Sequence, residues 1–444
     1  MLIRFNVENF LSFNKTTEFS LIANKEKRLR PHLVEAKNIS ILKTGVIYGA
    51  NASGKSNLVE AISLSQRIIL EGIERIDLSN KHYLLDSTNI SKPTIFNYEI
   101  FTNNIFYSYG FATILNQGTI VEEWLYEIGK GKDKLIFERT IDENGLHKIE
   151  IGQTPTVEDR ARFDVYKKDF EKSNKLLFLS EINRKSIEGT NAFIHYTNIY
   201  NWFKDTLTVL KTDSIFATLN LIPNDKNLTD VFEKILVLFD TGIDGITSEH
   251  VEFEKIDMPS KFKEELRNEL TSQPYLLFEI NDKKYTLHKD KNGNLIVTNI
   301  KFEHFDKNGK SVIFDLENES EGTQRLLDFI PALYELKERS AVFVIDEIDR
   351  SLHSKLTYGI FELFLKLTQN NQSQLIATTH EALLLDLNLL RRDEIWFVEK
   401  NEGESRLYSL DEFKERADKV IRKDYLLGRY GAIPIFKSFN SINI

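Results

Sequence analysis

The sequence predicts an α/β fold in which a sheet of parallel strands carries an antiparallel β subdomain and a compact helical insertion. Three observations lead there. The apolar run Thr44 to Tyr48 ends in a glycine-rich turn, Gly49 to Ser56, and a helical pattern follows at once. A second apolar run, Ala341 to Ile345, ends in the adjacent carboxylates Asp346 and Glu347. After Ser320 helical and strand patterns alternate, as parallel strands joined by crossover helices require.

The opening is β-rich. Leu2, Ile3, Phe5 and Val7, then Phe19, Leu21 and Ile22, then Ile39, Ile41 and Leu42 form short alternating runs, broken by the polar, basic stretch Asn24 to Pro31. From Asn57 to about Glu74 apolar residues fall at Leu58, Ala61, Ile62, Leu64 and Ile68, a spacing that suits a helix packed on a sheet. Residues 94–151 alternate again, with turn signals at Thr102 to Asn104 and Asp142 to Gly145, and are expected to form an antiparallel sheet. Between 155 and 272 the pattern becomes helical, as in VEDRARFDVYKKDFEKSN, LTDVFEKILVLF and SKFKEELRNEL. No heptad is sustained, so a compact insertion is expected rather than a coiled-coil arm. Strand patterns return in YLLFEIN, KYTLHKD, NLIVTNIKFEHF and KSVIFDLE, with NDKK and KNGN as hairpin turns. The expected division is 1–154, 155–272 and 273–444.

At 444 residues the chain is long enough for two or three folding units. Its 58 Lys+Arg against 67 Asp+Glu give a net charge of -9, which excludes a global basic field for DNA or anionic lipid and leaves only local patches. Lys25, Lys27, Arg28 and Arg30 form one such run, although a run of this kind is more often a solvated loop. The absence of cysteine excludes disulfides, thiol catalysis and cysteine metal sites. No apolar run approaches the roughly 20 residues that span a bilayer, and MLIRFNVENF lacks the features of a signal peptide. A cytoplasmic protein without membrane partners is expected.

The turn Gly49-Ala50-Asn51-Ala52-Ser53-Gly54-Lys55-Ser56 has the spacing of a P-loop, with Asn57 opening the helix. Such a turn aims successive N–H groups and a helix N-terminus at the phosphates, a lysine reaches the β- and γ-phosphates, and a serine holds Mg²⁺. ATP and Mg²⁺ are therefore the expected ligands. At the end of the second apolar strand, Asp346 is placed to bind the metal and Glu347 to activate water as a general base. A third element, Glu319-Ser320-Glu321-Gly322-Thr323-Gln324, precedes an apolar helix. By itself it reads as an N-cap; it also offers a hydroxyl and free N–H groups to an anion. A fourth is His380, directly after the strand LIATT, where it could touch the γ-phosphate.

In their order, GANASGKS, ESEGTQ, VFVIDE, DRSLH and ATTH resemble the ABC-type ATPase heads of the SMC and RecF kind. They resemble more closely the bacterial AAA-family ATPases of abortive-infection and restriction loci, including the opening MLIRFNVENFLSF and the closing RRDEIWFVEK and YLLGRYGAIP. The resemblance implies heads that dimerise around ATP. Ser320 and Gly322 would be signature residues on the γ-phosphate held by the opposite subunit, Asp349 would cross the dimer interface, and His380 would be the switch histidine. The signature reads SEGT where transporters and most SMC heads have SGG. The implied role is an ATP-hydrolysing sensor or scaffold in anti-phage defence, a homodimer or higher homo-oligomer working with a separately encoded effector. A RecF-like DNA-repair ATPase, with nucleic acid as partner, and a nucleotide-bound scaffold or antitoxin with little hydrolysis are the alternatives. The stretch after His380 is expected to be too short for an added nuclease domain.

Overall fold

Continuous apolar runs become fully buried parallel strands, and alternating runs become half-buried antiparallel ones, in the computed structural model of this chain. It describes residues 1–142, 145–152, 156–171, 173–185, 193–212, 226–270, 275–280, 283–290, 292–413 and 421–434. The chain divides into two units. The first takes in Met1–Thr212, Ser340–Ile348 and Thr368–Ile444, the second Asp213–Arg339 and Asp349–Leu367.

In the first unit, β1 (Leu2–Glu8) and β2 (Thr17–Ser20) are followed by the hairpin of β3 (Leu33–Ala36) and β4 (Ile39–Leu42). Strand β5 (Thr44–Gly49) then leads into helix α1 (Lys55–Glu71). Next come β6 (Thr94–Thr102), β7 (Ile105–Ile114), β8 (Thr119–Glu127), β9 (Lys134–Ile141) and β10 (His147–Ile151), as expected. They form a seven-stranded antiparallel sheet in the order β10-β9-β8-β7-β6-β1-β2. Asn103 and Asn104, with φ of 48° and 60°, make the tight β6–β7 turn, because asparagine tolerates the left-handed region better than other side chains.

The stretch 155–272 is helical only in part and is shared by both units. Helices α2 (Val157–Phe170), α3 (Phe178–Lys185) and α4 (Ile194–Asn201) belong to the first unit, which then adds an unexpected strand, β11 (Leu207–Leu210). The second unit holds α5 (Lys226–Leu238), β12 (Gly245–Glu252), α6 (Ser260–Glu269), β13 (Tyr275–Ile280), β14 (Lys283–Lys289), β15 (Leu295–Phe305), β16 (Ser311–Asp315) and α7 (Glu321–Glu338). Strand β12, also read as part of the helical stretch, pairs along its whole length with β15 in a five-stranded sheet. Strand β11 hid there because a four-residue run has no readable period, and the eight-residue β12 because its pairing depends on a partner distant in sequence.

The remaining elements are β17 (Val342–Ile345), α8 (Ser354–Leu367), β18 (Gln374–Thr379), β19 (Ile395–Asn401), β20 (Glu404–Ser409) and α9 (Ile421–Leu426). The second sheet of the first unit runs β11-β17-β18-β5-β19-β20. Its strands are parallel except β20, which folds back on β19. The alternation after Ser320 suggested crossovers to the end, but Glu402 and Gly403, at φ 49° and 87°, close a tight hairpin instead. Every residue of β5, β17 and β18 is buried, the condition for strands covered on both faces.

Two polar ties join the elements of this unit. The hydroxyls of Ser65 on α1 and Tyr98 on β6 are 2.5 Å apart in the core. Gln374 of β18 accepts the N–H of Leu2 at 2.6 Å and donates to the carbonyls of Leu2 and Leu42 at 2.8 and 2.9 Å. Burying these groups unpaired would be costly, so the pairing specifies one arrangement. The basic segment is similarly fixed: buried Arg391 pairs with Asp393 and donates to the carbonyls of Glu26 and Arg28 at 3.1 and 2.6 Å. Lys25, Lys27 and Arg30 are exposed on it.

Candidate nucleotide-binding site

The turn after β5 wraps around the start of α1. Gly54 has φ 114°, and a Cβ there would lie 2.4 Å from Ser405 Oγ and 2.8 Å from Ser12 Oγ. Only glycine fits. The loop is held from below by hydroxyls: Ser405 Oγ donates to the Ser53 carbonyl at 2.5 Å, Ser405 and Ser12 Oγ are 2.7 Å apart, and Asn57 Nδ2 donates to Ser12 Oγ at 2.7 Å. Asn51, Ala52 and Ser56 are exposed at the mouth of the turn, and Ser53 is buried. Ala52 takes φ 62°, a left-handed backbone that costs a non-glycine residue roughly 1–2 kcal/mol.

Lys55 curls back over this turn. Its Nζ donates to the carbonyls of Gly49 and Ala50 at 2.8 and 3.3 Å and lies 2.9 Å from His380 Nε2. His380 is exposed just past β18. The sheet order explains the meeting, since β18 lies directly beside β5 with Thr379 opposite Tyr48. On the far side of β18, β17 delivers Asp346, which is 6% exposed. Asp346 Oδ1 accepts from Thr378 Oγ1 at 2.6 Å, and Oδ2 has no hydrogen bond among the described residues. Glu347 follows at φ 49°, with its N–H donating to Thr378 Oγ1 at 2.8 Å. The P-loop, Asp346, Glu347 and His380 thus gather at the C-terminal ends of β5, β17 and β18, where parallel sheets place ligands.

Ser320, Gly322 and Asp349 lie in the second unit. Ser320 is exposed and caps α7, its Oγ accepting the Thr323 N–H at 3.1 Å. The Gly322 backbone presses on the turn after Asp349: an added Cβ would sit 2.8 Å from the Ser351 carbonyl oxygen. Ser351 itself has φ 60°, and the Asp349 carbonyl accepts the Leu352 N–H at 3.1 Å.

The residues fit a magnesium nucleotide. The Lys55 ammonium donates to backbone carbonyls that phosphate oxygens would replace, the exposed Ser56 hydroxyl lies at the start of α1, and Asp346 Oδ2 accepts no hydrogen bond among the described residues. Three contributors escaped the sequence reading: Ser12, Ser405 and Thr378. The signal for Thr378 was its place in a fully buried central strand, where a hydroxyl needs a partner. Ser12 and Ser405 are 393 positions apart, so only folding reveals them. The closing segment also reaches this region. Tyr430 stacks on Phe397 of β19 at 5.7 Å, and a cavity of about 470 Å³ beside the loop is lined by Ala50 to Ser53 and Pro434.

A P-loop strand separated by one strand from the carboxylate strand, with a histidine just past the end of the strand between them, defines a P-loop nucleotide-binding domain of the ATPase kind. Residues 46–386 match the family described as "AAA domain, putative AbiEii toxin, Type IV TA system", and the chain belongs to this family. Solved structures of similar fold include an SMC head domain from Thermotoga maritima, 12% identical, spanning 92% of this chain and 98% of that one at a TM-score of 0.37. The SmcHead bound to the C-winged helix domain of ScpA is 14% identical over 92% and 97% at 0.42. The Smc head domain with an extended coiled coil bound to the C-terminal domain of ScpA, derived from Pyrococcus furiosus, is 14% identical over 92% and 96% at 0.37. No curated protein sequence matches the chain significantly. Among the described residues, no helix is long and apolar enough to cross a membrane.

Proposed function

We propose that this chain binds MgATP at Gly49 to Asn57 and hydrolyses it in a homodimer bridged by the nucleotide. The observation that carries the reading is the convergence of the Lys55 ammonium, His380 and the Asp346–Glu347 pair at the C-terminal ends of neighbouring strands. ATP entry displaces Lys55 from the Gly49 and Ala50 carbonyls onto the β- and γ-phosphates, while the loop N–H groups surround the β-phosphate. Ser56 and Asp346 would hold Mg²⁺, which when bound would neutralise charge on the phosphate oxygens. Glu347 takes a proton from the attacking water, and His380 contacts the γ-phosphate. Ser320 and Gly322 of one copy close over the nucleotide of the other, with Asp349 crossing between them.

The family's toxin–antitoxin description supports a role in anti-phage defence beside a separately encoded effector, in the cytoplasm. The helices between 155 and 272 supply the recognition surface, since all the recognised chemistry lies outside them. The test is steady-state ATP hydrolysis by the purified chain together with light scattering of Glu347→Gln with and without ATP. Glu347-dependent turnover and an ATP-dependent dimer are expected. A monomer at saturating ATP overturns the bridged dimer, and absent turnover overturns hydrolysis in favour of a nucleotide-bound scaffold.

A further inference from the structure

Thr378 is fully buried on β18, between the strand that carries the P-loop and the strand that carries the carboxylates. Its hydroxyl donates to Asp346 Oδ1 at 2.6 Å and accepts the Glu347 N–H at 2.8 Å. Its carbonyl accepts the Ile348 N–H at 3.1 Å. Three hydrogen bonds from one residue therefore hold three consecutive residues beyond the end of β17. The middle one, Glu347, has φ 49°. A side chain with a Cβ enters this region at a cost and stays there only when its surroundings over-determine it. Those surroundings are Thr378. Valine would fill the same volume at this fully buried position, so packing alone does not account for a hydroxyl here; the hydroxyl donates to one residue of the carboxylate pair and accepts from the other.

We propose that Thr378 is the positioning residue of this site. Its donated hydrogen bond holds Asp346 by Oδ1, so that Oδ2 would be left for Mg²⁺, and its accepted one locks the kink from which Glu347 would act on the attacking water. It touches neither nucleotide nor water and acts only through these two residues. The proposal rests on the hydrolysis reading above.

The experiment compares Thr378→Val and Thr378→Ser with the wild-type chain in MgATP hydrolysis, nucleotide binding and Mg²⁺ titration. A misplacement of about 1 Å at a reacting group costs about a hundredfold in rate. Thr378→Val is accordingly expected to lose about that much kcat and to need more Mg²⁺ for half-maximal rate, with nucleotide affinity within about threefold of wild type. Thr378→Ser, which keeps the hydroxyl, is expected to restore kcat to within about threefold. In a Glu347→Gln background the valine change should add little, because residues acting as a unit are not additive. Should valine lower the folded yield, Thr378→Cys keeps the volume, weakens both hydrogen bonds and carries the same expectation. Wild-type kcat in Thr378→Val, equal losses in the serine and valine variants, or a full additional loss in the Glu347→Gln background each overturns the positioning role. A wild-type chain that binds ATP without Glu347-dependent turnover overturns the hydrolysis reading first, and this proposal with it.

Discussion

The ammonium of Lys55 lies 2.9 Å from Nε2 of His380, although 325 positions separate them in the sequence. The two residues meet because β18 lies beside β5, and Lys55 also donates to the carbonyls of Gly49 and Ala50.

Lys55→Ala removes the cation matched to the β- and γ-phosphates. Isothermal titration is expected to show loss of tight ATP binding with the fold intact by circular dichroism. Unchanged affinity would refute the assignment of the loop.

Glu347→Gln keeps the backbone kink and its N–H bond to Thr378 but loses the base. General-base catalysis contributes about a hundredfold to ten-thousandfold, so kcat should fall by that order while ATP binding persists. Turnover at the wild-type rate would mean that another group activates the water.

Ser320→Arg places a long cation at the start of α7, on an exposed residue. Each copy should still bind ATP at its own loop, yet light scattering in the Glu347→Gln background should no longer report an ATP-dependent dimer. An unaltered dimer would remove Ser320 from the interface.

Gly54→Ala tests the loop directly. The φ of 114° and the approach to Ser405 and Ser12 leave no room for a methyl group, and strain of this kind costs roughly 1–3 kcal/mol. The loop should shift, with weaker ATP binding and a lower melting temperature. Wild-type values for both would show that the loop relaxes without cost.

His147 supplies a pH dependence. Burial first, and then the positive charge of Arg139, whose Nε donates to its Nδ1 at 3.1 Å, hold its pKa down at about 4. The unfolded chain therefore takes up a proton before the folded one does. Stability is full above about pH 6.5, the ordinary histidine value, falls as pH drops toward about 4, and levels off for this group below that. Urea midpoints at pH 7 and pH 5 should diverge in the wild type and converge in His147→Gln, which keeps an acceptor for Arg139. An equal divergence in both chains would place the dependence on other groups.

The loop from Gly49 to Ser56, the carboxylates after Ile345 and the strand before His380 were legible because each is local. Apolar runs and the turn chemistry that follows them are encoded within about ten consecutive residues, and backbone sterics make their geometry nearly independent of the rest of the chain. The alternation of β6 to β10 and the helical period of α1 were legible for the same reason. Tertiary structure decided what pairs with what. Strand β11 became an edge of the parallel sheet only because β17 offered it a partner, and β12 lies beside β15 although its sequence shows no strand period. The Ser12–Ser405 support of the loop and the hold of Thr378 on Asp346 and Glu347 likewise join residues far apart along the chain. Hydrogen bonds of that kind are satisfied only once burial has removed water as the competing partner, and no local pattern in the sequence records them.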